Sequence, residues 1–416
     1  MKKRYILLFV FVIFAVITYL DRNNVSVLSK QITEDLNLTD TQWGLVLGAF
    51  SLAYGFFEIP TGMMVDKHGP KWTLIRIVIW WSIFTMLTGF AQGFYFILIT
   101  RFLFGAGEAG AFPTVSVAIS RWFPAIQRGR IQSVVWMGSR LGGALAPFIT
   151  ISLAHTYGWR MVFFIFSGVG MLWVIGWWLW FKDEPKDMAG ITAEEVKYIE
   201  ESRSIKTTVH KLLPFGTIIK SANLWALMGM YHFLLYGAYF YMSWIQKYLE
   251  KGRHVAKADL AWMQSLPFIM GMIGCLCGGF VSDYLVKRIG LKLGRRYVGM
   301  FGLVMAGVCM LVASSIPENN VAIIFLALGL AFKDFTLPVA WAVATDIGGK
   351  NAGTVSGTMG FAGQMGSVIM ASAFGYILTS TGGNYEMPVR IIGVLVIIGG
   401  LLWLRIDASK PIELEN

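Results

Sequence analysis

Apolar residues fall along this chain in long blocks parted by short polar stretches. A helix needs roughly twenty mostly apolar residues to cross a bilayer. That length predicts spans near 5–27, 42–63, 74–92, 94–119, 131–154 and 160–181, then near 223–248, 259–285, 297–315, 321–345, 352–379 and 388–405. The one long interruption is KDEPKDMAGITAEEVKYIEESRSIKTTVHK, dense in both signs of charge, which reads as a linker with a short amphipathic helix. The pattern predicts an all-α polytopic membrane protein with twelve transmembrane helices. They form one six-helix bundle over 1–182 and another over 223–416, joined by a cytoplasmic linker over 183–222.

Composition agrees, with 56% hydrophobic residues and only 14% charged, against about a quarter charged in soluble domains. The net charge of +11 invites a nucleic-acid reading, but position decides against it. With both termini cytoplasmic, inside segments hold about 24 Lys and Arg and outside loops about 7, the asymmetry membrane insertion favours. The basic surplus therefore lines the inner face of a cell (inner) membrane and forms no nucleic-acid patch. One stretch runs against the rule: QKYLEKGRHVAK puts four basic residues outside. Cys275, Cys277 and Cys309 all sit in apolar segments, and Cys275 and Cys277, two apart on a helix, point to different sides. Neither a disulfide nor a metal site is implied. KKRYILLFVFVIFAV resembles a signal peptide, but no small-residue cleavage site follows, so an uncleaved first helix is expected. No phosphate-cradling loop, nucleotide motif or zinc spacing occurs, and GAGEAG lacks the preceding strand of a dinucleotide fingerprint. These absences argue against a cofactor, an ATP-driven pump and a membrane enzyme.

The two halves echo each other. GMMVDKHG follows the second span and GGFVSDYLVKR the eighth, and each puts Gly a few residues before an acidic position, Asp66 or Asp283, with basic residues next. Two six-helix halves related by a repeat form a transporter architecture. Charges inside the spans are costly and so point to function. The first span ends ITYLDRNN, placing Asp21 and Arg22 in its outer half. In the fourth, Arg101 falls roughly 10 Å and Glu108 roughly 21 Å below the outer surface at 1.5 Å per residue. Seven residues apart, they share one helix face, and Gly105 between them leaves room there. An arginine stays charged and grips carboxylates bidentately. A carboxyl between burial and a nearby arginine can titrate and so couple a proton to substrate arrival. On this reading Asp21 carries a proton, and Arg22 meets the anion or its counter-charge. The alternative is a structural ion pair with other helices, since adjacent helical residues diverge by about 100°.

GMMVDKHGPK resembles the cytosolic loop signature of the major facilitator superfamily, and RFLFGAGEAGAFP resembles its arginine-bearing fourth helix as found in the anion:cation symporters. YLDRNNVS, SLAYGFFEIPTG, YGWRMVFFIFSGVGMLW, YGAYFYMSWIQKYL and SGTMGFAGQMGS are also similar to that group, so the likeness covers almost the whole chain. The group includes bacterial carriers of hexuronate, galactonate and glucarate and is related to sialin.

The resemblance implies Asp21 and Glu108 as proton-coupling sites, and Arg22, Arg101, Tyr19 and Tyr54 near the substrate. Asp66 with Lys67 and Lys71 reads as a cytosolic gate, joined by Asp283 in the second half and by Glu58, where a gate or helix-end contact is favoured over substrate binding. Arg140 stays open between a second anion contact and a counter-ion. For Lys333 and Asp334, neutralisation is favoured over substrate contact. The second half carries aromatics at helical spacing, of which Tyr236 and Tyr239 are the best candidates for a hydroxyl-rich substrate; Trp244 and Tyr248 read as packing or interfacial belt. Gln364, Ser367 and Ser372 would complete that wall. Gly360 and Gln364 stand where the family commonly has asparagine. The expectation is a monomeric proton-coupled symporter in the lipid bilayer that imports a small organic anion, a sugar acid such as a hexuronate or aldonate, by alternating access. An organic-anion or sugar-phosphate exchanger and a sodium-coupled symporter remain as alternatives.

Overall fold

The computed structural model describes residues 2–201 and 214–412, and every regular element among them is helical. The C-terminal part of the charged linker, 202–211, therefore lies outside the described residues. The helices are α1 (Lys3–Val27), α2 (Ser29–Asp35), α3 (Asp40–Gly89), α4 (Phe94–Glu108), α5 (Ala111–Trp122), α6 (Arg128–Tyr157), α7 (Trp159–Trp180) and α8 (Ala193–Glu201). After them come α9 (Phe215–Ile218), α10 (Ala222–Ser243), α11 (Ile245–Lys247), α12 (Lys257–Ala313), α13 (Asn319–Gly348), α14 (Ala352–Ser380) and α15 (Glu386–Leu402). Eight stretches are long and apolar enough to cross a membrane, and three of them run for 48, 52 and 62 residues. The chain divides into two compact units: unit 1 is 1–124, 134–206 and 350–357, and unit 2 is 125–133, 207–349 and 358–416.

In unit 1, α3 opens with a capping box in which Gln42 N donates to Thr39 Oγ1 while Thr39 N donates to Gln42 Oε1. Each side chain thereby satisfies a main-chain group of the other residue. Gly69, at φ 80°, breaks α3 just before Pro70. This left-handed conformation suits glycine, and a Cβ here would also come within 2.7 Å of Asp183 Oδ2. The fourth span is likewise interrupted: α4 stops at Glu108, Gly110 turns left-handed at φ 82°, and α5 restarts at Ala111. Pro113 in the first turn of α5 lacks an N–H, which suits a helix start and disfavours a helix interior. The run read as one continuous span thus places its carboxylate at a helix end. Beyond the C-terminal end of α1, Asp35 of α2 accepts hydrogen bonds from Trp159 Nε1 at 3.2 Å and from Arg160. The Arg160 guanidinium holds the Asp35 carboxyl below the usual carboxylate range. At the opposite end of α1, Glu195 of the linker helix α8 accepts from the main-chain N–H groups of Lys3 and Arg4 at 3.1 and 3.4 Å. A carboxylate satisfies orphan donors there and complements the helix dipole.

In unit 2, α12 repeats the break of α3 with Gly290 at φ 82°. Upstream of that break, Gly274 and Gly278 meet the main chain of α13: a Cβ at either would lie about 2 Å from the carbonyl of Ala331 or Phe335. Small residues four apart let helices approach in this way inside a bilayer. The basic stretch placed outside has a structural job. Arg253 donates to the carbonyls of Ala313 and Ile316 at 2.5 and 2.6 Å, closing the end of α12, and pairs with Glu386 at 2.9 Å. Among the described residues, Cys275, Cys277 and Cys309 form no disulfide, and Cys275 Sγ lies 3.8 Å from the Ser133 carbonyl.

Candidate functional site

The charges singled out in the sequence meet in unit 1. Arg22 Nη2 lies 2.6 Å and Arg22 Nε 3.1 Å from the same oxygen of Glu108, Oε1. The guanidinium stands over three rings, Tyr54, Tyr19 and Phe50, at 4.8, 5.1 and 5.2 Å. Tyr19 comes from α1 and the other two from α3, so three helices define one cation position. Glu108 Oε2 is buried without a hydrogen-bond partner.

The neighbouring charges are not paired in this way. Asp21 is 1% exposed and neither carboxyl oxygen has a hydrogen-bond partner, although Glu108 and Arg101 lie within electrostatic reach. Arg101 is 3% exposed, its Nε is buried without an acceptor, and its guanidinium lies 4.3 Å from the Phe104 ring and 5.5 Å from Phe50. Asp21 and Arg22 thus follow different courses, as adjacent positions on a helix must. Of the four charges, one cation and one anion are joined by hydrogen bonds, and the other two face each other's field without contact.

One expectation fails here. Gly105 does not leave room for a ligand. A Cβ on it would lie 2.4 Å from the carbonyl oxygen of Phe50, so the glycine admits the α3 backbone and brings Phe50 over both arginines. Phe50 itself carries no signal in the sequence, since an aromatic ring in an apolar span looks like packing.

The acidic positions after the second and eighth spans behave alike. In unit 1, Asp66 Oδ1 accepts from Gly353 N at 2.7 Å, while Oδ2 accepts from Thr354 N at 2.7 Å and Thr354 Oγ1 at 2.5 Å. Gly353 and Thr354 are the second and third residues of α14. In unit 2, Asp283 accepts from Gly129 N at 3.0 Å and Arg130 N at 2.9 Å, the second and third residues of α6. Each carboxylate sits on a helix N-terminus, where unpaired N–H groups and the dipole favour an anion. The expected partners of Asp66 take no part: Lys67 is exposed, and Lys71 donates its main-chain N–H to Asp183 Oδ1 at 2.8 Å. The contact on Asp66 is made by backbone far along the chain.

Asp283 has one partner more. Arg295, fully buried, lies 2.9 Å from Asp283 Oδ1 and 3.5 Å from Asp346 Oδ2, and Asp346 lies 2.7 Å from Arg128. Arg128, Arg295 and Asp346 escaped sequence reasoning because they fall at span ends, where charge is commonplace. Glu58 is buried with Oε2 unpartnered. Lys333 and Asp334, also buried, pair with each other at 2.5 Å, as charge neutralisation requires.

Among the aromatics of α10, Tyr236 is buried and Tyr239 half-buried, as is Gln364 of α14. Trp244 stacks on Phe374 at 4.5 Å, and Tyr248 donates to Glu386 Oε2 at 2.9 Å. Ser367 donates to the Gly363 carbonyl of its own helix at 3.4 Å. Ser372 is exposed, which separates it from the buried wall it was expected to join. Among the described residues, no group of His, Cys, Asp and Glu could hold a metal ion.

Residues 11–368 match the Major Facilitator Superfamily. The chain belongs to that family. It is 33% identical to the probable sulfoacetate transporter SauU of Cupriavidus necator, covering 99% of this chain and 96% of that protein. It is 30% identical to the hexuronate transporter of Bacillus subtilis, covering 96% and 93%. Its fold is similar to that of the Escherichia coli fucose:proton symporter FucP in the outward conformation, with a TM-score of 0.69 at 15% identity over 97% of this chain and 99% of that one. The family and these relatives are transporters, so this chain is a multi-pass membrane transporter and not an enzyme.

The Arg22–Glu108 pair gives a direct test of its energetics. Removing one partner of a buried ion pair costs about 3–5 kcal/mol, whereas replacing both by apolar residues is often near neutral. Arg22→Met should lower the melting temperature of the detergent-purified protein, and Glu108→Met added to it should recover part of the loss. A double-mutant loss equal to the sum of the single losses would show that the two side chains do not interact.

Proposed function

We propose that this chain is a proton-coupled symporter that imports a small organic anion, a sugar acid such as a hexuronate or aldonate, by alternating access. The observation that carries the reading is the contrast within one charge cluster. Arg22 is committed to Glu108, while the buried Nε of Arg101 has no hydrogen-bond acceptor and Asp21 no donor. Arg101 is then the group that takes the substrate's carboxylate, with Arg22, Tyr19 and Tyr54 beside it. Asp21 and Glu108 are the carboxyls that take up and release protons. Importing an anion against an inside-negative potential is uphill by about 2.3 kcal/mol per charge per 100 mV. Two protonatable groups supply the positive charge that offsets it. The hexuronate transporter relative supports a sugar acid; the sulfoacetate transporter relative favours a sulfonated carboxylate as second reading, with the same cation in the same role.

The architecture we infer is twelve spans. Of the eight apolar stretches, those of 48, 52 and 62 residues are each long enough to cross twice. The 22-residue helix α10 adds a further crossing. The surplus of Lys and Arg on the predicted inner segments supports an inner membrane with both termini cytoplasmic, and the protein is taken as a monomer. Asp66 and Asp283, each on a helix N-terminus, act as gating contacts, with Lys67, Lys71 and Glu58 in their vicinity along the chain; Tyr236, Tyr239 and Gln364 act in substrate contact from unit 2.

The substrate assignment is tested with D-glucuronate, D-galactonate, D-glucarate and sulfoacetate on purified protein. At least one should raise the melting temperature of the wild type, and Arg101→Ala should abolish that rise while still folding. An unchanged rise in Arg101→Ala would remove this arginine from the site.

Coupling is tested in proteoliposomes with the anion that binds. Glu108→Gln mimics a permanently protonated carboxyl, so it should exchange labelled for unlabelled substrate but fail to accumulate it on a pH gradient. Asp21→Asn should show the same split. If both variants still accumulate substrate on the gradient, the coupling lies elsewhere, with sodium as the first ion to try.

Gating is read separately. Asp66→Asn loses the anion on the α14 N-terminus but leaves the charge cluster untouched. Its transport rate should fall several-fold or more with substrate affinity kept within about threefold. Normal turnover in this variant would disprove the role.

A further inference from the structure

Helix α10 shows a polar surface that the charge cluster does not explain. Three of its sides are packed within unit 2. Gly229, Phe233 and Gly237 pack on α15, where a Cβ on Gly229 or Gly237 would meet Leu402 or Val396 and Phe233 lies against Gly399. Tyr231 and Tyr241 bond to α13, accepting from Trp341 Nε1 and donating to the Leu326 carbonyl, both at 2.9 Å. Tyr231 and Leu235 also border α14 at Gly363, and a Cβ on Gly366 would come within 2.3 Å of the His232 carbonyl. At 3.6 residues per turn, the remaining side carries His232, Tyr236 and Tyr239. His232 and Tyr239 are half-buried, and so is Gln364, the residue after the α14 contact at Gly363. These polar ends lie midway along a helix of membrane-spanning length, where facing hydrocarbon would leave them unsatisfied at considerable cost.

The imidazole of His232 is oriented by α14. Its Nδ1 lies 3.0 Å from the carbonyl oxygen of Ala362 on α14. A carbonyl only accepts, so Nδ1 carries the proton, and in the neutral ring Nε2 is left as an acceptor. The Tyr236 ring lies beside it with centroids 6.5 Å apart. Together these give, in the neutral ring, an acceptor at Nε2 flanked by an aromatic ring, suited to a hydroxyl group and to the apolar face of a sugar.

We infer that His232 lines a water-filled passage in unit 2 and accepts a hydrogen bond from a hydroxyl of the transported anion, so that it selects hydroxylated substrates over bare ones. This deepens the sugar-acid reading and rests on it for the hydroxyl, but not for the passage. A site built to bond a hydroxyl discriminates strongly against an analogue that lacks it.

The passage is tested first. With Cys275, Cys277 and Cys309 replaced by Ala, His232→Cys in proteoliposomes should react with the water-soluble cationic reagent MTSET. Leu401→Cys, on an exposed apolar position of α15, should not. Failure of the cysteine at 232 to react, in a protein that melts like wild type, would overturn the inference. The hydroxyl is tested by affinity. In His232→Asn the amide can keep the bond to Ala362 but cannot reach the Nε2 position. It should bind D-glucuronate at least tenfold more weakly and sulfoacetate, which has no hydroxyl, within about twofold of wild type. Equal losses for both anions, or no loss, would refute selection by His232. If D-glucuronate fails to stabilise even the wild type, the sugar-acid reading falls and the hydroxyl part falls with it. The MTSET reaction still decides the passage.

Discussion

Arg22 grips a single oxygen of Glu108 with two of its nitrogens, at 2.6 and 3.1 Å, among helices that are otherwise apolar. Neither ion could remain there alone, because taking a charge out of water costs several kcal/mol even after the protein relaxes. The surrounding unit is arranged around making this pair possible. Gly105 admits the α3 backbone, which carries Phe50 over the guanidinium, and the Gly110 turn ends α4 at Glu108, placing that carboxylate at a helix terminus. Aromatic faces add cation–π attraction on three sides, an interaction that strengthens as water is removed. A pair so placed is a poor source of stability but a good source of position.

Much of this could be read from the chain. The blocks of apolar residues announced the spans, and four charges inside them named Asp21, Arg22, Arg101 and Glu108 before any geometry. Local chemistry at breaks in the pattern was harder. The run from 94 to 119 is mostly apolar and of spanning length, so GEAGAFP reads as small residues in one helix, although Gly110 and Pro113 together end one helix and start another. Gly105 looked like open space because sequence shows what is missing from a residue and not what moves in to replace it. Asp66 is grouped with Lys67 and Lys71 as a gate because they stand together in sequence. Its partners are instead the main-chain amides of Gly353 and Thr354, whose donor role has no side-chain signature.

The internal repeat survives in geometry better than in letters. Gly69 and Gly290 both turn left-handed within long helices, at φ 80° and 82°. Asp66 and Asp283 both meet the second and third amides of a helix, although only one is flanked by buried arginine. What is retained is the satisfaction of a helix N-terminus by an anion, a requirement of backbone polarity that any sequence descended from the same half must meet. The arginine network of Asp283, Arg295, Asp346 and Arg128 lies in unit 2, whereas among the described residues Asp66 is held by hydrogen bonds to a helix N-terminus, with Arg121 within electrostatic reach.

The units differ most in what they offer at membrane depth. Unit 1 presents fixed charge, with two arginines and two carboxyls in one cluster. In unit 2, Lys333 and Asp334 neutralise each other, and the polar groups that remain on α10 are aromatic hydroxyls and one imidazole. Charge attracts any small anion and discriminates little among them, whereas directional neutral acceptors discriminate by the hydrogen bonds left unmade. The fold keeps the expensive desolvated charges where three helices hold them still, and on the function proposed above it is the neutral groups, whose exchange costs little, that carry specificity.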